Sequence, residues 1–290
     1  MGTTRIEEVD TGDVTLSCAV DGEGPIVIAL HGFPDSRESF RPIVPALVAA
    51  GYRVVRPALR GYFPSGVARS GRHDAIAAGE DAVRIADYFS PPRGDAKTDR
   101  VRLIGHDWGS VAAFAAASMR PERFSHLVTM AVPHPAALMR HLSPAQLRRS
   151  WYMGLFQLPV IAEVALARGD LALVDRLWRD WSPGYVATEA EMAAVKEGIR
   201  HRIAPVLAYY RALTSWQALA RSRPIFGKIR VPAIHVHGEA DGCIGVGTAE
   251  GADRFYANGY ALRRLAGAGH FLAQEKPDEV ARIVIDFFGK

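Results

Sequence analysis

The sequence predicts an α/β fold: a mostly parallel central sheet flanked by helices, with an inserted helical cap. Three observations carry that expectation. Short apolar β-rich runs alternate with longer Ala/Leu/Val stretches of helical character, the pattern of a parallel sheet covered by helices. Between about residues 135 and 223 the alternation stops, the chain reads as helical and rich in Trp, Tyr and Arg, and then the alternation resumes. The stretch "LIGHDWGS" at 103–110 joins an apolar strand to a helix through a turn flanked by glycines.

The elements follow in order. "PIVIALHG" (25–32) reads as a buried strand ending in a turn, and "SFRPIVPALVAAGY" (39–52) as a helix closing at Gly51. "RVVRPALRGY" (53–62) is the next strand with its exit loop, and "DAIAAGEDAVRIADYF" (74–89) is a helix. "RVRLIGHD" (100–107) is a strand, "WGSVAAFAAASMR" (108–120) a helix whose small residues suit close packing, and "HLVTMAVP" (126–133) another strand. After the helical segment come the strand and loop "VPAIHVHGEADG" (231–242), a helix near 248–257, the strand "YALRRLAGAGH" (260–270) and the closing helix "PDEVARIVIDFF" (277–288). The expected domains are a core of residues 1–134, a cap of 135–223 and a second core part of 224–290.

The chain's 290 residues allow one large α/β domain with an insert. Hydrophobic content of 49% and charged content of 23% are ordinary for a globular protein. The net charge of +4 comes from scattered arginines without a basic arm, so no nucleic-acid partner is expected. Two cysteines, Cys18 and Cys243, cannot build a disulfide framework, and no C-x-x-C is present. No run approaches 18 apolar residues and the first ten lack an apolar signal core, so no membrane association and a cytoplasmic location are expected. The ten histidines show no H-E-x-x-H spacing, so neither a metal nor an organic cofactor is expected.

The chemistry centres on Asp107. A residue at a strand-to-helix turn lies at the carboxyl ends of the strands, where open parallel sheets bind ligands. Gly105 and Gly109 let the turn be sharp, and the turn aims backbone N–H groups toward negative charge. An Asp before a helix is often only its N-cap. Here two further residues favour a nucleophile. Asp241 follows the strand "AIHVHG", with Glu239 as the alternative acid, and His270 ends the run "AGAGH". A carboxylate is ionised at neutral pH and can displace a leaving group at saturated carbon, forming an alkyl ester. His270, oriented by Asp241, would then activate the water that hydrolyses that ester.

The motifs "HGFPDS" (31–36), "RGY" (60–62), "GHDWGS" (105–110), Asp241 and "GHF" (269–271) resemble the α/β-hydrolase family, in particular its epoxide hydrolase branch with an Asp nucleophile, over nearly the whole chain. The resemblance implies a small apolar epoxide-type substrate opened with water to a vicinal diol. It implies an oxyanion hole from the N–H groups of Phe33 and Trp108. It also implies two cap tyrosines that donate protons to the opening epoxide: Tyr152, in "RSWYMGLFQLP" (149–159), and Tyr210, in "VLAYYRALTSW" (206–216). Helix neighbours diverge by about 100°, so Tyr209 and Tyr210 are not expected to reach the site together, and the family pattern selects Tyr210. A homodimer is the assembly it leaves open.

Haloalkane dehalogenases are similar in placing Trp after the nucleophile, but commonly carry Asn where this chain has Phe33; tryptophans 151, 178 and 181 would be their halide donors here. Fluoroacetate dehalogenases resemble the "HGFP" loop but carry Arg where this chain has Trp108. A binding module with vestigial catalysis is a third reading, against which the complete set Asp107, Asp241 and His270 argues. After "RGY" the chain continues Phe63-Pro64-Ser65-Gly66, a departure from the family that implies a differently shaped pocket.

Overall fold

A computed structural model describes residues 3–92, 94 and 99–289. Eight strands form one sheet: β1 (Arg5–Asp10), β2 (Thr15–Asp21), β3 (Ile26–Leu30), β4 (Arg53–Pro57), β5 (Val101–His106), β6 (Phe124–Met130), β7 (Ala233–Gly238) and β8 (Tyr260–Leu265). Their order is β1-β2-β4-β3-β5-β6-β7-β8. β1 with β2 and β2 with β4 are antiparallel, and the remaining pairs are parallel. β3, "IVIAL", is buried at every residue, as a strand covered on both faces must be.

Successive side chains point to opposite faces of the sheet. Ile28, Leu30 and Leu103 therefore join one core, and Val27, Ala29 and Ile104 the other. The helices of the core are α1 (Val44–Ala49), α2 (Ala75–Phe89) and α3 (Trp108–Met119). The alanines of α3 let α2 approach so closely that a Cβ on Gly79 would sit 2.6 Å from that of Ala115.

Between β6 and β7 come α4 (Pro135–Arg140), α5 (Pro144–Arg149), α6 (Trp151–Leu155), α7 (Ile161–Trp181), α8 (Glu189–Arg200), α9 (Ile203–Ala212) and α10 (Trp216–Arg221), with no strand among the described residues there. These helices form the cap. α7 is interrupted at Arg168–Leu171, where Gly169, Asp170 and Leu171 take positive φ. Cap residues such as Tyr152, Phe156, Trp181 and Tyr210 belong to the same hydrophobic core as Ile28 and Phe114. The chain closes with α11 (Leu272–Glu275) and α12 (Pro277–Phe288), whose Val284 and Phe288 cover the opposite face with Leu47 of α1. No helix of the described residues is long and apolar enough to cross a membrane.

Residues 5–21 add an antiparallel hairpin ahead of the expected elements. Three expectations need correction. The helix expected near 248–257 is two 3-10 turns, Val246–Ala249 and Ala252–Phe255, divided at Gly251 with φ +62°. The helix expected over 39–52 starts as a 3-10 turn, Arg37–Ile43, and becomes α-helical only in α1, because Pro42 lacks the N–H that the ladder requires. The strand expected over 260–270 ends at Leu265, and "AGAGH" is loop.

Candidate active site

Asp107 is the junction between β5 and α3. Its φ of 52° and ψ of −118° are strained for a residue with a Cβ. Although it occupies the N-cap position, its side chain makes no capping bond. Its Oδ1 instead accepts a hydrogen bond of 2.7 Å from the Phe33 N–H. The surrounding glycines are sterically required. A Cβ on Gly105 would collide with the Gly109 carbonyl, and one on Gly32 with Asp107 itself. Gly32 was missed in the sequence, although it sits inside the "HGFPDS" stretch.

The predicted partners meet at this elbow. His270 Nδ1 donates to Asp241 Oδ2 at 2.9 Å. Its Nε2 has no hydrogen-bond partner and lies 3.8 Å from Asp107 Oδ2. Asp241 Oδ1 accepts from the N–H groups of Cys243 and Ile244, at 2.7 and 2.9 Å. Glu239 is exposed and away from this network, which leaves the acid position to Asp241. The His270 N–H donates to the Trp181 carbonyl and to Ser182 Oγ, so the end of cap helix α7 fixes the histidine's backbone. His106 Nε2 bonds the His270 carbonyl at 2.9 Å, and its Nδ1 lies 3.3 Å from the buried Asp35. Neither Ser182 nor Asp35 stood out in the sequence, since the histidines they meet here, His270 and His106, lie far along the chain.

Burial sets the electrostatics. It pushes the Asp107 carboxyl above the usual carboxylate range, although His270, His106 and the N–H groups of Phe33 and Trp108 pull the other way. Burial disfavours an imidazolium at His270, but the carboxylates of Asp241 and Asp107 outweigh it and hold its pKa above the ordinary histidine value. Burial also acts on Asp241, where His270 wins and keeps the carboxyl below its usual range.

The cap supplies the roof. Tyr210 packs edge-on against Phe33 and Trp108, each with ring centroids 5.3 Å away, and its hydroxyl lacks a well-formed hydrogen bond, its polar neighbour being the Trp108 side chain. The Tyr152 ring is 5.7 Å from that of Tyr210. Burial drives both phenols well above their ordinary pKa, so both are neutral donors at pH 7. Tyr209 instead donates to the Arg60 carbonyl at 3.0 Å. Asp107, Tyr152 and Tyr210 are only 5%, 4% and 1% exposed, so charge shifts here occur in a medium of low dielectric. Phe63 sits outside this enclosure, its N–H donating to the Gly198 carbonyl of α8 at 3.0 Å. Such a site can attack an electrophilic carbon with a carboxylate, protonate the departing oxygen and deliver a water.

Comparison with known proteins places this geometry in context. The sequence profile described as the alpha/beta hydrolase fold matches residues 25–277. Epoxide hydrolase A of Mycobacterium tuberculosis is 30% identical over 99% of this chain and 98% of its own. AB hydrolase superfamily protein YfhM of Bacillus subtilis is 29% identical over 99% of both chains. The crystal structure of epoxide hydrolase A from Mycobacterium thermoresistibile superposes with a TM-score of 0.77 at 26% identity, covering 98% of both chains.

Proposed function

The chain belongs to the α/β hydrolase fold family, and from that membership and the site geometry we propose that it is a cofactor-independent epoxide hydrolase that works through an alkyl ester on Asp107. The observation that carries the reading is the buried carboxylate of Asp107, held by the Phe33 N–H, facing His270 Nε2 and lying under two neutral tyrosines. Asp107 attacks an epoxide carbon, the C–O bond breaks, and Tyr152 and Tyr210 protonate or hydrogen-bond the departing oxygen. His270 Nε2 then takes a proton from water, whose oxygen adds to the Asp107 carboxyl carbon; collapse of that adduct breaks the acyl C–O bond, and the leaving oxygen takes a proton as the diol is released. The N–H groups of Phe33 and Trp108 stabilise the tetrahedral oxyanion, each lowering the barrier by about 3 kcal/mol by analogy with other such donors. The aromatic walls of Phe33, Trp108, Phe156 and Trp181 favour an apolar substrate.

Dehalogenation fits less well. Phe33 offers no side-chain donor, the Trp178 N–H is committed to the Pro34 carbonyl at 2.7 Å, and Trp151 is surface-exposed beneath Arg176, so of the three cap tryptophans only Trp181 lies beside the site. The test is a trapping experiment. His270→Ala incubated with styrene oxide is expected to accumulate one covalent adduct, mapped to Asp107 by peptide mass spectrometry. No adduct from an epoxide panel, together with halide release from alkyl halides by the unaltered enzyme, overturns the proposal.

A further inference from the structure

The two cap tyrosines are not held alike. The Tyr210 hydroxyl lacks a well-formed hydrogen bond, whereas the Tyr152 hydroxyl lies 3.4 Å from Cys243 Sγ, a contact in which either atom can donate. The rest of the Tyr152 surroundings is aromatic, with Trp181, Phe156 and Tyr210 at centroid distances of 4.9, 5.6 and 5.7 Å. Cys243 is itself fixed from both sides. Its N–H donates to Asp241 Oδ1, and its carbonyl accepts from Gln146 Nε2 of α5 at 2.8 Å. The residue is 1% exposed, and burial with the Asp241 and Asp107 carboxylates keeps it a thiol rather than a thiolate. An S–H is therefore available at a fixed place beside the phenol.

We propose that Cys243 is a positioning residue for Tyr152: its S–H donates to the phenol oxygen, so that the phenol's own proton is free for the epoxide oxygen. The proposal rests on the reading of Tyr152 as a proton donor. As Asp107 forms its bond to carbon, the epoxide C–O bond breaks and its electron pair takes the proton from Tyr152. The thiol then shares its hydrogen with the phenolate oxygen, without transferring it. Of the two protons of the hydrolysing water, one goes to the diol oxygen that leaves as the bond between it and the Asp107 carboxyl carbon breaks, and the other restores the phenol. Because the same residue's backbone binds the triad acid, one loop registers the cap donor against the base.

The experiment uses rapid-quench single turnovers of the full-length enzyme with styrene oxide, resolving alkylation from ester hydrolysis. Cys243→Ala is expected to slow alkylation about fivefold, the size of one modest hydrogen bond, and to leave ester hydrolysis unchanged. Cys243→Ser, which keeps a donor, is expected to alkylate within about twofold of the parent enzyme. In a Tyr152→Phe background, Cys243→Ala is expected to add nothing. Equal slowing of both steps, failure of Ser to rescue, or an effect that persists in Tyr152→Phe overturns the thiol's role. Alkylation at the parental rate in Tyr152→Phe alone overturns the proton-donor reading, and the thiol's role with it. Melting temperatures of the variants identify loss of fold.

Discussion

His270 and Asp107 are coupled residues, and the coupling changes sign of usefulness during turnover. In the free enzyme the Asp107 carboxylate, 3.8 Å from His270 Nε2, helps to raise the imidazole's pKa. In the proposed mechanism esterification makes Asp107 neutral, which would remove that contribution and lower the pKa just when an unprotonated base is needed. Asp107→Asn reproduces the neutral state, and Asn tolerates positive φ. The variant's His270 is expected to titrate at a lower pH than in the parent, as followed by imidazole NMR; an unchanged or higher value refutes the coupling. Alkylation has its own limb. As proposed, it needs ionised Asp107, whose pKa burial raises, so its rate is expected to fall on acidification at a higher pH than an ordinary carboxylate would give. Asp107 and Asp241 were legible because each follows a buried apolar strand, and His270 because it closes the glycine-rich string "AGAGH" after the last strand. Tyr152 and Tyr210 were legible only through resemblance. Cys243 was not legible at all, since the Gln146 that clamps it lies 97 residues away in sequence.

At the scale of elements, helix boundaries show what local chemistry decides and what it does not. α2 starts where the sequence says it should, because Asp74 accepts from the Ala77 N–H at 3.0 Å. The same carboxylate binds Arg72, and Arg221 of cap helix α10 at 2.9 Å, so one cap residue also ties the inserted helices to the core. Burial opposes its charge, but Arg72, the Ala77 N–H and Arg221 together hold its carboxyl below the usual value. A depressed carboxyl stabilises the fold above its unfolded pKa, near 3.9, and loses that contribution as pH falls through the folded value. Asp74→Ala is expected to cost about 2 kcal/mol at pH 7 by urea denaturation, with the arginines partly solvated. Asp74→Asn should keep much of the cap, and its stability should fall less than the parent's between pH 5 and about 3. Equal acid sensitivity in the two proteins would sink this account. The N-terminal hairpin escaped the sequence reading for a physical reason. β1, "RIEEVD", is an edge strand with only Val9 buried, so it lacks the apolar alternation that marks a strand. The 248–257 segment escaped because Gly251 breaks a helical pattern into two turns.

For the whole molecule, the question is how substrate reaches a carboxylate that is only 5% exposed beneath the cap, and movement of the cap against the core is the expected route. The seam is closed by identifiable bonds: the Trp178 N–H to the Pro34 carbonyl, the Tyr209 hydroxyl to the Arg60 carbonyl, and the Phe63 N–H to the Gly198 carbonyl. Beside the last of these runs a cleft of about 260 Å³ lined by His31, Ser36, Tyr62, Phe63, Pro64 and Gly198. It lies at the Phe63-Pro64 stretch after "RGY", which makes the seam between α8 and the core the natural place to probe opening. The geometry offers a lock. A Cβ on Gly198 would stand 3.8 Å from that of Ser36, within the range a disulfide spans. Both native cysteines are buried, and Cys243 meets the cap at Tyr152 and Gln146 rather than at α8. The oxidised Ser36→Cys/Gly198→Cys protein is expected to lose at least about tenfold in kcat/KM for styrene oxide, as gating by closure requires. Reduction with dithiothreitol should restore the activity of the reduced double variant, which also measures any effect of losing the Ser36 cap. Full activity in protein shown by mass to be cross-linked would mean that substrate reaches Asp107 without movement of α8, and would shift the entrance to the α5–α7 side of the cap.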